Sequence, residues 1–240
     1  MRFDKRHALT LVAIVGVTLL LSHAIPAIAQ EYGKQKICAV CHQKDQGQSP
    51  AVTASWEATK HATAEGEGPR YSVNGEPGVG CQGCHGPGQD HVKAKPEEKP
   101  TSIGNPADIE TREGKLSLCG RCHGQYAEGF VEGYVWGENI LDKITLSEPT
   151  GGKHEQLNEM KDSLHFTSPT GPTCLDCHTG HKGLDPALAP QLLKSINELC
   201  MGCHDPAKGQ KKCDKEVPAD GSCATCHMPN KKHIFKIPAA

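Results

Sequence analysis

Residues 81–91 read Cys-Gln-Gly-Cys-His-Gly-Pro-Gly-Gln-Asp-His, and the first five of them decide how the chain folds. Two thiols three residues apart share one face of a helical turn, and an imidazole follows at once. The same pentad occurs six times: Cys38, Cys41 and His42; Cys81, Cys84 and His85; Cys119, Cys122 and His123; Cys174, Cys177 and His178; Cys200, Cys203 and His204; Cys223, Cys226 and His227. Zinc ligation, a redox dithiol and covalent haem attachment all use a CxxC pair. Zinc sites join two such hooks but do not require His behind each one. A thioredoxin-like dithiol needs a single copy beside a βαβ pattern. With 14 His among 240 residues, a His behind all six pairs selects haem attachment. The two thiols add to the vinyl groups of one porphyrin, and the adjoining imidazole becomes the proximal iron ligand. Six covalently attached haem c groups are therefore expected.

The composition agrees. The chain has 13 Cys but only 10 aromatic residues. Outside residues 1–29, apolar residues other than Cys number 56 of 211. Typical domains carry about 45–50% apolar residues with Gly and Cys counted. A large core made of side chains alone is excluded, and stacked porphyrins are expected to replace it. The expected fold class is mainly α with extensive loops and little or no β-sheet. Net charge is −2, with both signs interspersed. That argues against nucleic acid, which selects a basic face.

Segment 1–29 reads as a signal peptide. Arg2, Lys5 and Arg6 precede the apolar run Ala8–Leu21, and Ala27-Ile28-Ala29 offers a cleavage site before Gln30. The apolar run is 14 residues, short of the ~20 that a spanning helix needs. The expected location is the periplasm or the cell exterior, with no stable membrane insertion after cleavage. The mature chain carries net charge −4, and haem propionates would add to it. Such a surface is steered toward basic patches on partners.

Once His7 and His23 leave with the leader, six histidines remain outside the motifs: His61, His91, His154, His165, His181 and His233. Six irons each taking a second imidazole need six, so all are candidate distal ligands, with His154 the weakest. Met160, Met201 and Met228 are rival sixth ligands that the balanced histidine supply makes unnecessary.

The motifs recur in a pattern. Residues 37–91 hold two motifs, a lone His61 between them and a trailing His91. Residues 119–181 repeat this with His165 and His181. Residues 199–233 keep two motifs and the trailing His233 but have no lone His. The domain 30–240 thus reads as three two-haem modules, and His154 is the natural candidate to serve the third. Helices are expected over 53–63, 116–123, 154–165 and 190–203, with loops over 65–80, 86–108 and 205–221. Only 133–136 hints at a strand. In the Cys-free gap between His123 and Cys174, Tyr126, Phe130, Tyr134 and Trp136 suit either porphyrin faces or an interaction surface. Cys213 fits no motif and reads as an inert thiol or, alternatively, an intermolecular disulfide partner or redox-sensing thiol.

These residues resemble a multihaem cytochrome c. The stretch from Leu199-Cys-Met-Gly-Cys-His to Cys223-Ala-Thr-Cys-His-Met-Pro is similar to the doubled-CxxCH module. Residues 81–91 resemble the periplasmic cytochromes that feed nitrite and dimethyl-sulfoxide reductases or outer-membrane conduits. The resemblance implies electron transfer along closely packed bis-His haems. The donor would be a membrane quinol dehydrogenase, the acceptor a terminal reductase or an outer-membrane conduit, in anaerobic respiration, and a homo-oligomer or filament is compatible with it. No catalytic residue is expected of such a carrier. The competing class is a reductase of a small nitrogen or sulfur oxyanion, which requires one iron with an open coordination position. The CxxCK motif of ammonia-forming nitrite reductases is absent.

Overall fold

A computed structural model describes residues 36–43, 52–64, 72–73, 76–77, 79–131, 133–181, 191–205, 207 and 221–237. The chain divides into two units, Met1–Gln30 and Glu31–Ala240. The expected leader and Cys213 lie outside the described residues.

Short helices joined by long loops make up the second unit. In chain order they are α1 (Lys36–His42), α2 (Thr53–Glu57), α3 (Cys81–His85), α4 (Gln89–Lys93), α5 (Arg112–His123), α6 (Gln156–Met160), α7 (Leu164–Thr167), α8 (Ile196–Cys203) and α9 (Cys223–His227). Among the described residues the only sheet is an antiparallel pair of two-residue strands, β1 (Ser72–Val73) and β2 (Glu76–Pro77). It falls in a stretch expected to be loop. The strand expected over 133–136 is absent, and those residues form turns.

Caps explain where helices begin. Thr111 accepts a hydrogen bond from Gly114 N at 3.0 Å, which starts α5 one turn earlier than expected. Ser195 and Glu198 form a capping box, so α8 starts at Ile196 and not near Pro190. The helix expected over 154–165 is two helices. Ser163, extended and buried, divides α6 from α7, and its hydroxyl donates to Met160 O at 2.6 Å.

The scaffold gathers on α5, whose two sides face separate apolar clusters. Leu118 packs with Ile109, Tyr126, Val131, Tyr134 and Ile140. Leu116, fully buried, packs with Leu157 and Met160. Buried Asn158 ties the intervening loops together. Its amide donates to Gln125 O at 2.7 Å and Ser147 O at 2.8 Å, and its Oδ1 accepts from Gln125 N at 2.8 Å. A small protein core therefore exists where only porphyrins were expected. Tyr126 and Tyr134 belong to that core, not to an interaction surface. Arg112 extends the scaffold by donating to His165 O at 2.6 Å and Gly171 O at 2.8 Å, which anchors α7 to α5.

Candidate haem-binding centres

Each motif sits on a helical turn. Those at 38–42, 81–85 and 223–227 lie on α1, α3 and α9, and those at 119–123 and 200–204 close α5 and α8. The motif at 174–178 begins on a 3₁₀ turn whose capping box joins Thr173 to Asp176. A helical turn projects both sulfurs to one side and leaves the following imidazole free to face the same space.

The imidazoles come together in pairs. His42 and His91 are stacked with ring centroids 6.3 Å apart. His85 and His181 are likewise stacked at 6.3 Å. His165 faces His204 at 5.8 Å, and His178 faces His233 at 5.9 Å. His123 has two neighbours, His61 at 6.0 Å and His154 at 5.5 Å. An imidazole nitrogen binds a metal at about 2 Å. Two imidazoles on opposite sides of one iron thus have centroids ~6 Å apart. The stacked pairs, with interplanar angles of 22° and 17°, lie too far apart for ring-on-ring contact but at the separation that a shared iron requires.

The pairs cross between modules according to a rule. Each lone His faces the leading His of the next motif pair: His61 faces His123, and His165 faces His204. Each trailing His faces the second motif His of the pair before: His181 faces His85, and His233 faces His178. His91 faces His42, the leading His of its own pair. His154, the expected candidate for the third module, makes a ring contact with His123. It sits in a left-handed backbone conformation (φ 59°) held by the Glu155 carboxylate, which accepts from the amides of Thr150, Gly151 and Gly152. Nor do the twelve histidines pair six by six. Among the described residues, which include all twelve, His227 alone of the motif histidines faces no second imidazole.

Hydrogen bonds orient the rings. An acceptor at Nδ1 leaves Nε2 for a metal. Gly104 O faces His85 Nδ1 at 2.8 Å, Lys99 O faces His91 Nδ1 at 3.0 Å, and Gln156 Oε1 faces His123 Nδ1 at 3.0 Å. Lys236 O faces His227 Nδ1 at 2.9 Å. His61 differs, with Gln191 Nε2 lying 3.2 Å from its Nδ1. Turning that amide over would present an acceptor but forfeit the bond from Gln191 Nε2 to Thr179 O. These partners escape sequence reading, because most are backbone carbonyls that no residue type announces. Burial lowers the pKa values of His61, His91, His165, His181 and His233, and brings that of His178 to about 4. All six are held neutral, the form that ligates.

The cysteines form a series. The Cys38 thiol is a near neighbour of Cys81, Cys119 of Cys174, and Cys200 of Cys223. Between these links, Cys84 lies within electrostatic reach of Cys122, and Cys177 of Cys203. Successive motifs are thus neighbours throughout, with Cys84 also within reach of Cys119 and Cys177 of Cys200. Burial raises the Cys84 thiol to about 11, and in the first pair Cys38 pushes Cys81 down while its own pKa rises. Those values belong to the free thiols, and thioether formation abolishes them.

The residues fit haem. Half-buried and exposed thiols adjoin neutral imidazoles at iron-bridging separation, and His165 Nδ1 is a buried polar atom without a hydrogen-bond partner.

Similar proteins are known. Residues 167–209 match the doubled CXXCH motif family. The chain is 27% identical over 195 residues to the multiheme cytochrome MtrA of Shewanella baltica, covering 81% of this chain and 53% of that protein. It is 30% identical over 99 residues to the nine-heme cytochrome c of Desulfovibrio desulfuricans, covering 39% of this chain and 28% of that one. It is 32% identical over 82 residues to the high-molecular-weight cytochrome c of Nitratidesulfovibrio vulgaris, covering 33% and 14%. The chain therefore spans about half the length of the first relative and less of the others. The undecaheme cytochrome from the S-layer of Carboxydothermus ferrireducens superposes with a TM-score of 0.36 at 23% identity, over 71% of this chain and 36% of that one. Motifs and relatives together make this a multihaem c-type cytochrome that binds haem c through its CxxCH motifs. No helix among the described residues is long and apolar enough to cross a membrane.

Proposed function

We propose that the chain is an exported hexahaem electron carrier, working between a membrane quinol-oxidising donor and a terminal reductase or extracellular acceptor. The observation that carries this reading is the facing of imidazoles from different motifs at iron-bridging separation, His61 with His123, His85 with His181, His165 with His204 and His178 with His233. Haem c held by such motifs supplies a one-electron iron couple whose potential follows its axial ligands and burial.

The residues divide the work. Twelve cysteines anchor: Cys38 and Cys41, Cys81 and Cys84, Cys119 and Cys122, Cys174 and Cys177, Cys200 and Cys203, Cys223 and Cys226. His42, His85, His123, His178, His204 and His227 take the proximal positions. His91, His181, His61, His233 and His165 cap the first five in that order, and a capped iron binds no substrate. For His123, the repeat rule and the 6.0 Å separation favour His61 over His154. Carbonyls of Gly104, Lys99 and Lys236 and the side chain of Gln156 hold the rings in register. The net-negative surface suits brief docking on basic patches of redox partners.

The test is a spectroscopic and kinetic one on protein matured in a haem-attaching host. Six haem additions by intact mass are expected, with full reduction by a quinol-linked donor faster than any turnover of nitrite or dimethyl sulfoxide. Fewer than six haems, or rapid oxyanion turnover without a partner protein, would overturn the reading.

A further inference from the structure

The geometry points to one open iron, at the haem anchored by Cys223 and Cys226, where a small exogenous diatomic ligand completes the coordination that the other five receive from histidine. This rests on the six-haem reading above. The placement of the imidazoles carries it, and the way the other rings are paired agrees.

All twelve histidines beyond residue 35 are described, and five of the six motif rings face another imidazole at 5.5–6.3 Å. His227 does not. Its ring is nevertheless set for ligation, since Lys236 O faces Nδ1 at 2.9 Å and Lys236 N donates back to His227 O at 2.8 Å. The proximal side is built, whereas no second imidazole stands opposite it.

The trailing His of one pair faces the second motif His of the pair before. His181 does this for His85, and His233 does it for His178. His227 belongs to the second motif of the third pair, and among the described residues no trailing His of a following pair faces it. The surplus imidazole, His154, is committed to the neighbourhood of His123 and does not make up the deficit.

Methionine does not repair it either. Met228 adjoins His227 in the chain and cannot reach the opposite face of the same iron. Met160 is buried against Leu116 and Leu157. Met201, on α8 beside α9, is 45% exposed and not packed into a site. The motif is also a terminus of the cysteine series: Cys223 meets Cys200, while Cys226 is exposed. An open position at this end is reachable from solvent and is one transfer step from a capped neighbour.

Carbon monoxide is the probe, used on the full holoprotein after intact mass has established the haem count. With six haems present, the reduced protein is expected to bind one CO per chain, and the oxidised protein to show one high-spin signal by EPR. Imidazole added to the oxidised wild type should convert that signal to low spin at one equivalent, a readout independent of any variant's folding. The double substitution Cys223→Ala and Cys226→Ala should lower CO binding from one per chain to none, while five haems stay low spin. Six low-spin haems without CO binding would show that Met201, a lysine or another group caps His227's iron, and would overturn the inference. CO binding that persists in the double variant would overturn it too. A mass showing fewer than six haems would instead fault the haem count itself.

Discussion

The indole Nε1 of Trp136 donates to the carbonyl oxygen of Cys84 at 2.7 Å, across 52 residues of sequence. The same ring covers Gly104, whose carbonyl faces His85 Nδ1. A loop outside every motif thereby fixes both the anchor and the ligand of the second motif. Trp136→Phe removes the donor while keeping most of the apolar area. It should cost about 1 kcal/mol, a fall of ~2–4 °C in Tm for a chain of this size. Gly104→Ala is harsher, because a Cβ there would lie 2.5 Å from Trp136 Cε2 and 2.8 Å from His85 O. It should broaden the low-spin EPR signal of one haem and leave the haem count unchanged.

Leu116 is fully buried between α5 and α6, against Leu157 and Met160. Leu116→Ala should destabilise the holoprotein by ~2–5 kcal/mol, as cavity formation does elsewhere. Thermal unfolding followed at a haem band would show it. An effect below 1 kcal/mol would mean that porphyrins, and not this cluster, hold the middle of the unit.

Ligand assignments separate by substitution. His165→Ala should leave the iron of His204 uncapped and add one CO per chain to the reduced protein. His61→Ala should do the same for the iron of His123. His154→Ala should leave the CO count unaltered. If His154→Ala adds a CO and His61→Ala does not, the two exchange roles, and the Gln191 amide beside His61 would be the reason.

Glu155 is buried, and its carboxylate accepts from the Thr150 hydroxyl and from the amides of Thr150, Gly151 and Gly152. Those bonds, the Thr150 hydroxyl first, hold its pKa below the ordinary carboxylate range. The folded value lies below the unfolded one, so its stabilising contribution is complete above the unfolded pKa. It is lost as pH falls through the depressed folded value. Glu155→Gln should lower Tm at neutral pH and erase that part of the acid dependence. Parallel acid titrations of wild type and variant would check it, and identical pH slopes would refute it.

The motif positions, the helical character and the scarcity of sheet were legible because CxxCH is a covalent requirement written in adjacent residues. The pairing of histidines was only half legible. Counting six spare imidazoles suggested six caps, but the cross-module exchange that brings His165 to His204 depends on long-range folding. Arg112, which anchors His165 through backbone carbonyls 53 and 59 residues away, carries no local signal of that role. The core around Tyr126 and Ile140 was missed because low overall apolar content conceals a locally dense patch. Helix ends went astray where a capping side chain, Thr111 or Ser195, outweighed the apolar pattern.

The alternation of cysteine contacts makes the array modular in a strict sense. First lies beside first and second beside second, with Cys84 also near Cys119 and Cys177 near Cys200, so the pattern of contacts repeats every two motifs. Insertion of a motif pair would leave that pattern intact, whereas insertion of a single motif would put everything downstream out of step. Growth or loss in steps of two is thus the topologically neutral route by which such an array can change its length.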